Sequence, residues 1–145
     1  SHAVDALRWW LGEPEAVYNA VRRMWSKHDD MFNALLTYAN DAVGMLTANR
    51  ASGTRYERVE VHARGVLCAI HAPHRAEIWL DNAREPTVVS GAELCGTDDQ
   101  RVTYGFLGES LHFLQCVSRG EQPMPSFADA ARTMQLCERL ERGEL

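Results

Sequence analysis

Three histidines, His62, His71 and His74, lie close together, and neutral imidazole is a common metal ligand. No acidic or cysteine side chain falls at a usual ligand spacing from them, and strand alternation puts His62 on a polar face. The pattern favours solvated or structural histidines and no metal site. Cys68, Cys95, Cys116 and Cys137 are widely spaced with no C-x-x-C among them, which argues against zinc knuckles and redox pairs. Cys116 and Cys137 fall on apolar faces of expected helices, where a thiol acts as a small hydrophobe. All four read as reduced, structural cysteines of a cytoplasmic protein. Asp5 can contact a substrate or pair with Arg8 one helical turn on, and the pairing is the simpler reading. There is no G-x-S-x-G, no P-loop and no G-x-G-x-x-G. Gly105-Phe106-Leu107-Gly108 has the G-x-x-G form of an RNA-binding loop, but it begins a helix in an acidic chain.

The 145 residues suit one domain with a real core. Hydrophobic residues at 46% and charged residues at 24% are ordinary for a globular chain. A net charge of −5 argues against broad contact with nucleic acid, and Arg22-Arg23, the one adjacent basic pair, reads as a solvated strand edge. No apolar run approaches the roughly 20 residues that span a bilayer, so no membrane partner is expected.

The elements that must position these residues follow from periodicity. Ala3, Ala6, Leu7, Trp10 and Leu11 repeat at helical spacing, and Gly12 and Pro14 stop that helix. Strand patterns follow at 16–24, 31–38, 43–50, 56–63, 66–70, 76–80 and 87–90, with a tight turn at Asn40-Asp41 and another at Arg64-Gly65. Val59, Val61 and Ala63 alternate with Arg58, Glu60 and His62, which marks a sheet with one covered face. Residues 91–103 are loop by composition. Two helices close the chain. The first has a stripe of Leu107, Leu111 and Leu114, flanked by Phe106, Phe113 and Val117. The second is capped at Ser126 and has Phe127, Ala130, Met134, Cys137 and Leu140 as its expected core face. The expected class is α+β: an open, mostly antiparallel or mixed sheet of about six strands with helices on one face.

Three stretches, in order, resemble the C-terminal domain of the Gfo/Idh/MocA oxidoreductase family. Ser1-His2-Ala3-Val4-Asp5-Ala6-Leu7-Arg8-Trp9-Trp10-Leu11-Gly12-Glu13-Pro14 is similar to the family's histidine, aspartate, Trp and Gly-Glu-Pro helix. Tyr56 to Gly65 is similar to its strand and turn, with Ala63 in place of a glycine. Gly105-Phe106, Glu109, His112-Phe113, Gly120, Pro123 and Asp129-Ala130 follow its last two helices. The resemblance spans nearly the whole chain.

The resemblance implies a single substrate-binding and oligomerisation domain over 1–145. It lacks the N-terminal dinucleotide-binding domain with its catalytic lysine, and it lacks the aspartate that precedes the histidine. The chain would then be a piece beginning at the catalytic histidine. Ser1-His2 also resembles a tag remnant, but the Ala-Val-Asp that follows favours a native histidine. By resemblance His2 is the general base, a task suited to imidazole, whose ordinary pKa is about 6.5. Asn33, Asn49, Arg50 and Tyr104 stand where substrate contacts are expected, Arg50 toward a sugar hydroxyl or an acid group. NAD or NADP is expected in the full-length parent and no cofactor in this chain, which alone would be inactive. The expected partners are a sugar or polyol substrate and a second copy of the chain. That copy would dock through the open sheet face near Trp25, Ile78, Trp79 and Val43–Ala48. A non-catalytic oligomerisation module and an unrelated α+β small-molecule binder are the alternatives. The latter usually places its helices before its strands.

Overall fold

A computed structural model describes residues 1–142. The chain divides into two compact units, one of Ser1–Thr54 with the closing stretch from Met124, the other of Arg55–Pro123. The class is α+β with antiparallel strands throughout, as expected. The described strands number seven and form two ladders, of three and four, where one sheet of about six was expected.

In the first unit α1 (His2–Leu11) precedes β1 (Ala16–Arg22), β2 (Met31–Thr37) and β3 (Val43–Asn49), which pair in chain order. The turn between β2 and β3 falls at Asn40-Asp41. Asp41 takes φ 62°, and the Ala42 N–H donates to the Asn40 side chain. Beyond β3 the Asn49 side chain accepts the Ala51 N–H at 2.8 Å, which turns the chain out of the ladder. That turn, with the irregular backbone of residues 50–58, is why the pairing does not run on into the next strand.

Cross-strand partners share a face. Val17, Leu36 and Leu46 therefore lie on the side where α1 and α5 (Phe127–Arg142) pack, and Leu36 is wholly buried there. Val4, Tyr38, Leu136 and Leu140 complete this core. On the other side Tyr18, Leu35 and Met45 stand opposite one another, and all three are exposed.

The second unit runs β4 (Val59–Ala63), β5 (Val66–His71), β6 (Arg75–Leu80) and β7 (Thr87–Ser90) as a meander. The expected loop at 91–103 instead holds α2 (Gly91–Cys95) and α3 (Gln100–Thr103). Ser90 and Asp99 cap them, accepting the N–H groups of Glu93 and Arg101. α4 (Phe106–Arg119) ends at Gly120 in the left-handed conformation. Ala69 in β5 and Cys116 in α4 are this unit's buried apolar residues.

Four expected faces differ. In α1 the buried residues are Val4 and Arg8, not Ala3 and Trp10. In α5 they are Thr133, Leu136 and Leu140, while Phe127 is 93% exposed and Ala130 and Met134 are exposed with it. A polar network at Arg8, described next, sets both rotations. Val61 and Ala63 in β4 are exposed. The leucine stripe of α4 is also exposed, at Leu107, Leu111 and Leu114.

Candidate functional site

Polar side chains converge at two clefts of the first unit. The larger, about 530 Å³, is lined by Asp5, Arg8, Trp9, Met124, Pro125 and Asp129. Its charges are already engaged. Arg8, 8% exposed, donates from Nε and Nη2 to Glu13, from Nη2 to Asp129 Oδ1 at 3.2 Å, and from Nη1 to Thr133 Oγ1 at 2.6 Å. Thr133 Oγ1 donates in turn to Asp5. The bonds from Glu13 hold the Arg8 guanidinium above its ordinary range, and Arg8 holds the Glu13 carboxyl below its own. Asp5 therefore serves the fold, as its spacing to Arg8 suggests. Burial, with Glu13 adding to it, raises the nearby Tyr38 phenol.

The same contacts set the run of the helices. Arg8 meets Asp129 and Thr133, and Asp5 meets Thr133, so α1 lies antiparallel to α5 and each turn back toward His2 matches a turn on toward Cys137. Burial pushes the Cys137 thiol up; the Ser1 amine opposes this, and the Glu141 and Asp5 carboxylates add to it. Glu141 is one turn beyond Cys137, about 6 Å along the axis.

Glu141 lines the second cleft, about 280 Å³, with Arg23, His28, Asp29, Phe32 and Arg50. One buried residue organises its walls. Asp30, 2% exposed, accepts the N–H of Met24 on one carboxylate oxygen and those of Trp25 and Ser26 on the other, at 2.7–3.0 Å. Its own carbonyl accepts the Arg50 N–H at 2.8 Å. Burial alone would raise the Asp30 carboxyl; the three amide donors outweigh it and hold the group below its ordinary range. The Arg50 guanidinium lies over the Phe32 ring, 5.9 Å from its centre. Arg23 pairs with Asp29 at 3.4 Å.

Of the residues singled out from sequence, His2 opens α1 and is exposed. Asn33 and Asn49 share the open face of the three-stranded ladder, in neighbouring pairs with Thr47 and Met31. Arg50 follows Asn49 into the second cleft. Asn49 and Arg50 are neighbours in sequence at the end of β3, but Asn49 stands on the open face while Arg50 lies over Phe32 on the covered one. Tyr104 belongs to the other unit, where it is exposed and stacks on Phe106 at 6.0 Å. Sequence reasoning missed Arg23 and His28 as cleft residues, and it missed Asp30, whose partners are backbone amides and leave no side-chain pattern.

Among the described residues no group of His, Cys, Asp and Glu is placed to hold a metal ion, and no helix is long and apolar enough to cross a membrane. His62 sits 3.2 Å from Glu60, His71 edge-on to Tyr56, and His112 is 3.7 Å from the Cys116 sulfur. All the ladders are antiparallel, and the chain carries no glycine-rich strand–turn–helix.

Residues 1–66 match the family model described as the GFO/IDH/MocA C-terminal domain. No curated protein matches the chain. Among solved structures, levoglucosan dehydrogenase in complex with NADH and levoglucosan superposes with TM-score 0.81 at 20% identity, over 98% of this chain and 45% of its own. An oxidoreductase from Agrobacterium radiobacter, in complex with NAD+, L-tartaric acid and magnesium, gives 0.77 at 20%, over 98% and 44%. A dehydrogenase from Clostridium difficile gives 0.80 at 18%, over 99% and 46%. The chain spans less than half the length of each.

Proposed function

Taking the chain as a C-terminal domain of the Gfo/Idh/MocA oxidoreductases, the family that its first 66 residues match, we propose that it is the substrate-binding part of a nicotinamide-dependent dehydrogenase of a sugar, polyol or related hydroxy compound. One observation carries the reading. His2 is exposed at the start of α1, one turn before Asp5, and the same unit carries the second cleft, where Arg50 offers hydrogen-bond donors for an oxygen-rich ligand. In the whole enzyme the His2 imidazole takes the hydroxyl proton as the carbon is oxidised. Arg50 orients the substrate in the second cleft; Asn33 and Asn49, on the open face of the first ladder, and Tyr104, in the other unit, are further candidates for substrate contact. NAD or NADP binds to a separate nucleotide-binding domain of that enzyme. The NAD+ and NADH complexes among its structural relatives support that choice of cofactor.

The test joins the chain to the nucleotide-binding half of a solved relative and follows nicotinamide reduction over a panel of sugars and polyols. Turnover that falls about 10² to 10⁴-fold in His2→Ala supports the reading. A folded, cofactor-binding fusion that oxidises nothing in the panel overturns it.

A role in assembly accompanies this function. Tyr18, Leu35, Val43 and Met45 form an exposed apolar row on the open face of the first ladder, which suits a second copy of the chain. The other expected contributors lie elsewhere: Trp25 is exposed in the loop after β1, and Ile78 and Trp79 are half-buried in the second unit.

A further inference from the structure

We propose that the second cleft recognises the acid group of a hydroxy acid, with Arg50 as the residue that reads it. The inference rests on the dehydrogenase reading for its biological use, and on the cleft alone for its chemistry. Arg23 is matched by Asp29 at 3.4 Å, so that pair contributes little net charge. Arg50 and Glu141 line the same cleft and enter no ion pair among the described residues. Arg50 is held in place without one: its backbone is fixed to the Asp30 carbonyl and its guanidinium rests on Phe32. A guanidinium fixed by backbone and ring keeps its planar fork free, the geometry that takes a carboxylate through two parallel hydrogen bonds.

Glu141 and Asp29 are acceptors and bind hydroxyls, not a second anion. The cleft therefore combines a donor for an acid with acceptors for hydroxyls. At 280 Å³ it is near the lower end of small-ligand pockets, roughly 300 Å³. A bare inorganic anion would leave the acceptors unmatched, and a neutral polyol would leave Arg50 without its charge partner. A carboxylate on a polyhydroxylated chain satisfies both.

The test is an amide NMR titration of the chain with D-gluconate, with sorbitol as its uncharged counterpart and with inorganic phosphate. Gluconate is expected to shift residues 23–32 and Arg50. Sorbitol and phosphate should each bind at least about tenfold more weakly. Arg50→Gln should weaken gluconate about tenfold or more with the rest of the spectrum unchanged, and Arg50→Lys should recover only part of the loss. Equal binding of gluconate and sorbitol, phosphate as tight as gluconate, no gluconate binding at millimolar concentration, or an indifferent Arg50→Gln overturns the proposal. The fusion enzyme separates the two failures. Oxidation of neutral polyols without acid selectivity removes this inference and leaves the dehydrogenase. Selective gluconate binding by a fusion that oxidises nothing keeps the acid site and removes the dehydrogenase.

Discussion

Arg8 and Thr133 meet at 2.6 Å, joining the first helix to the last across nearly the whole length of the chain. Thr133 passes the contact on to Asp5. Replacing Arg8 with Met leaves Glu13, Asp129 and Thr133 without their common donor. The expected loss is about 2–3 kcal/mol, less than for a fully buried pair because Glu13 is half exposed. Urea unfolding measures it, and a double-mutant cycle with Thr133→Val should return a coupling of about 1 kcal/mol. Additive effects would show that the two side chains are independent.

Asp30→Asn tests the carboxylate that holds the second cleft. Asp30 titrates below its ordinary value in the folded chain, so its ionised form is the stabilising one. The contribution is complete above about pH 4 and is lost as the pH falls through the lower, folded value. The variant should melt about 5 °C below the parent near pH 7, and the gap should narrow as pH drops toward 3. A gap independent of pH would mean that shape, not charge, matters at this position.

Gly91 is irreplaceable for a steric reason. A Cβ there would sit 1.9 Å from the Pro73 carbonyl oxygen, while the Gly91 N–H donates to the His74 carbonyl at 2.8 Å. Gly91→Ala should cost about 3 kcal/mol or more and release the β6 and β7 amides to hydrogen exchange before those of β1–β3.

Met45 is 79% exposed in the middle of the apolar row on the open face. Met45→Lys should leave the melting temperature within about 2 °C and shift the mass seen by light scattering from dimer to monomer. A monomeric parent at high micromolar concentration removes the assembly role.

The strands were legible because alternation is local: Val59, Val61 and Ala63 declare a strand without reference to anything else. Turns were legible where one dipeptide decides them, as at Asn40-Asp41. What sequence could not supply was direction in space. The apolar count turned α5 toward Phe127 and Met134. The actual face follows Thr133, because Arg8, far away in the chain, needs an acceptor there. Residues 91–103 looked like loop because two isolated caps, Ser90 and Asp99, sit among polar neighbours. Arg50 stood out by type, whereas Asp30, which positions it, resembled any loop aspartate.

The first unit is built from both ends of the chain, Ser1–Thr54 and the stretch after Met124. Its three strands precede in sequence Leu136 and Leu140, which help to cover Leu36. Without α5 that side of β1–β3 is covered by α1 alone. A chain stopped before Met124 should keep its hairpins and lose part of their cover, making truncation here a route to aggregation.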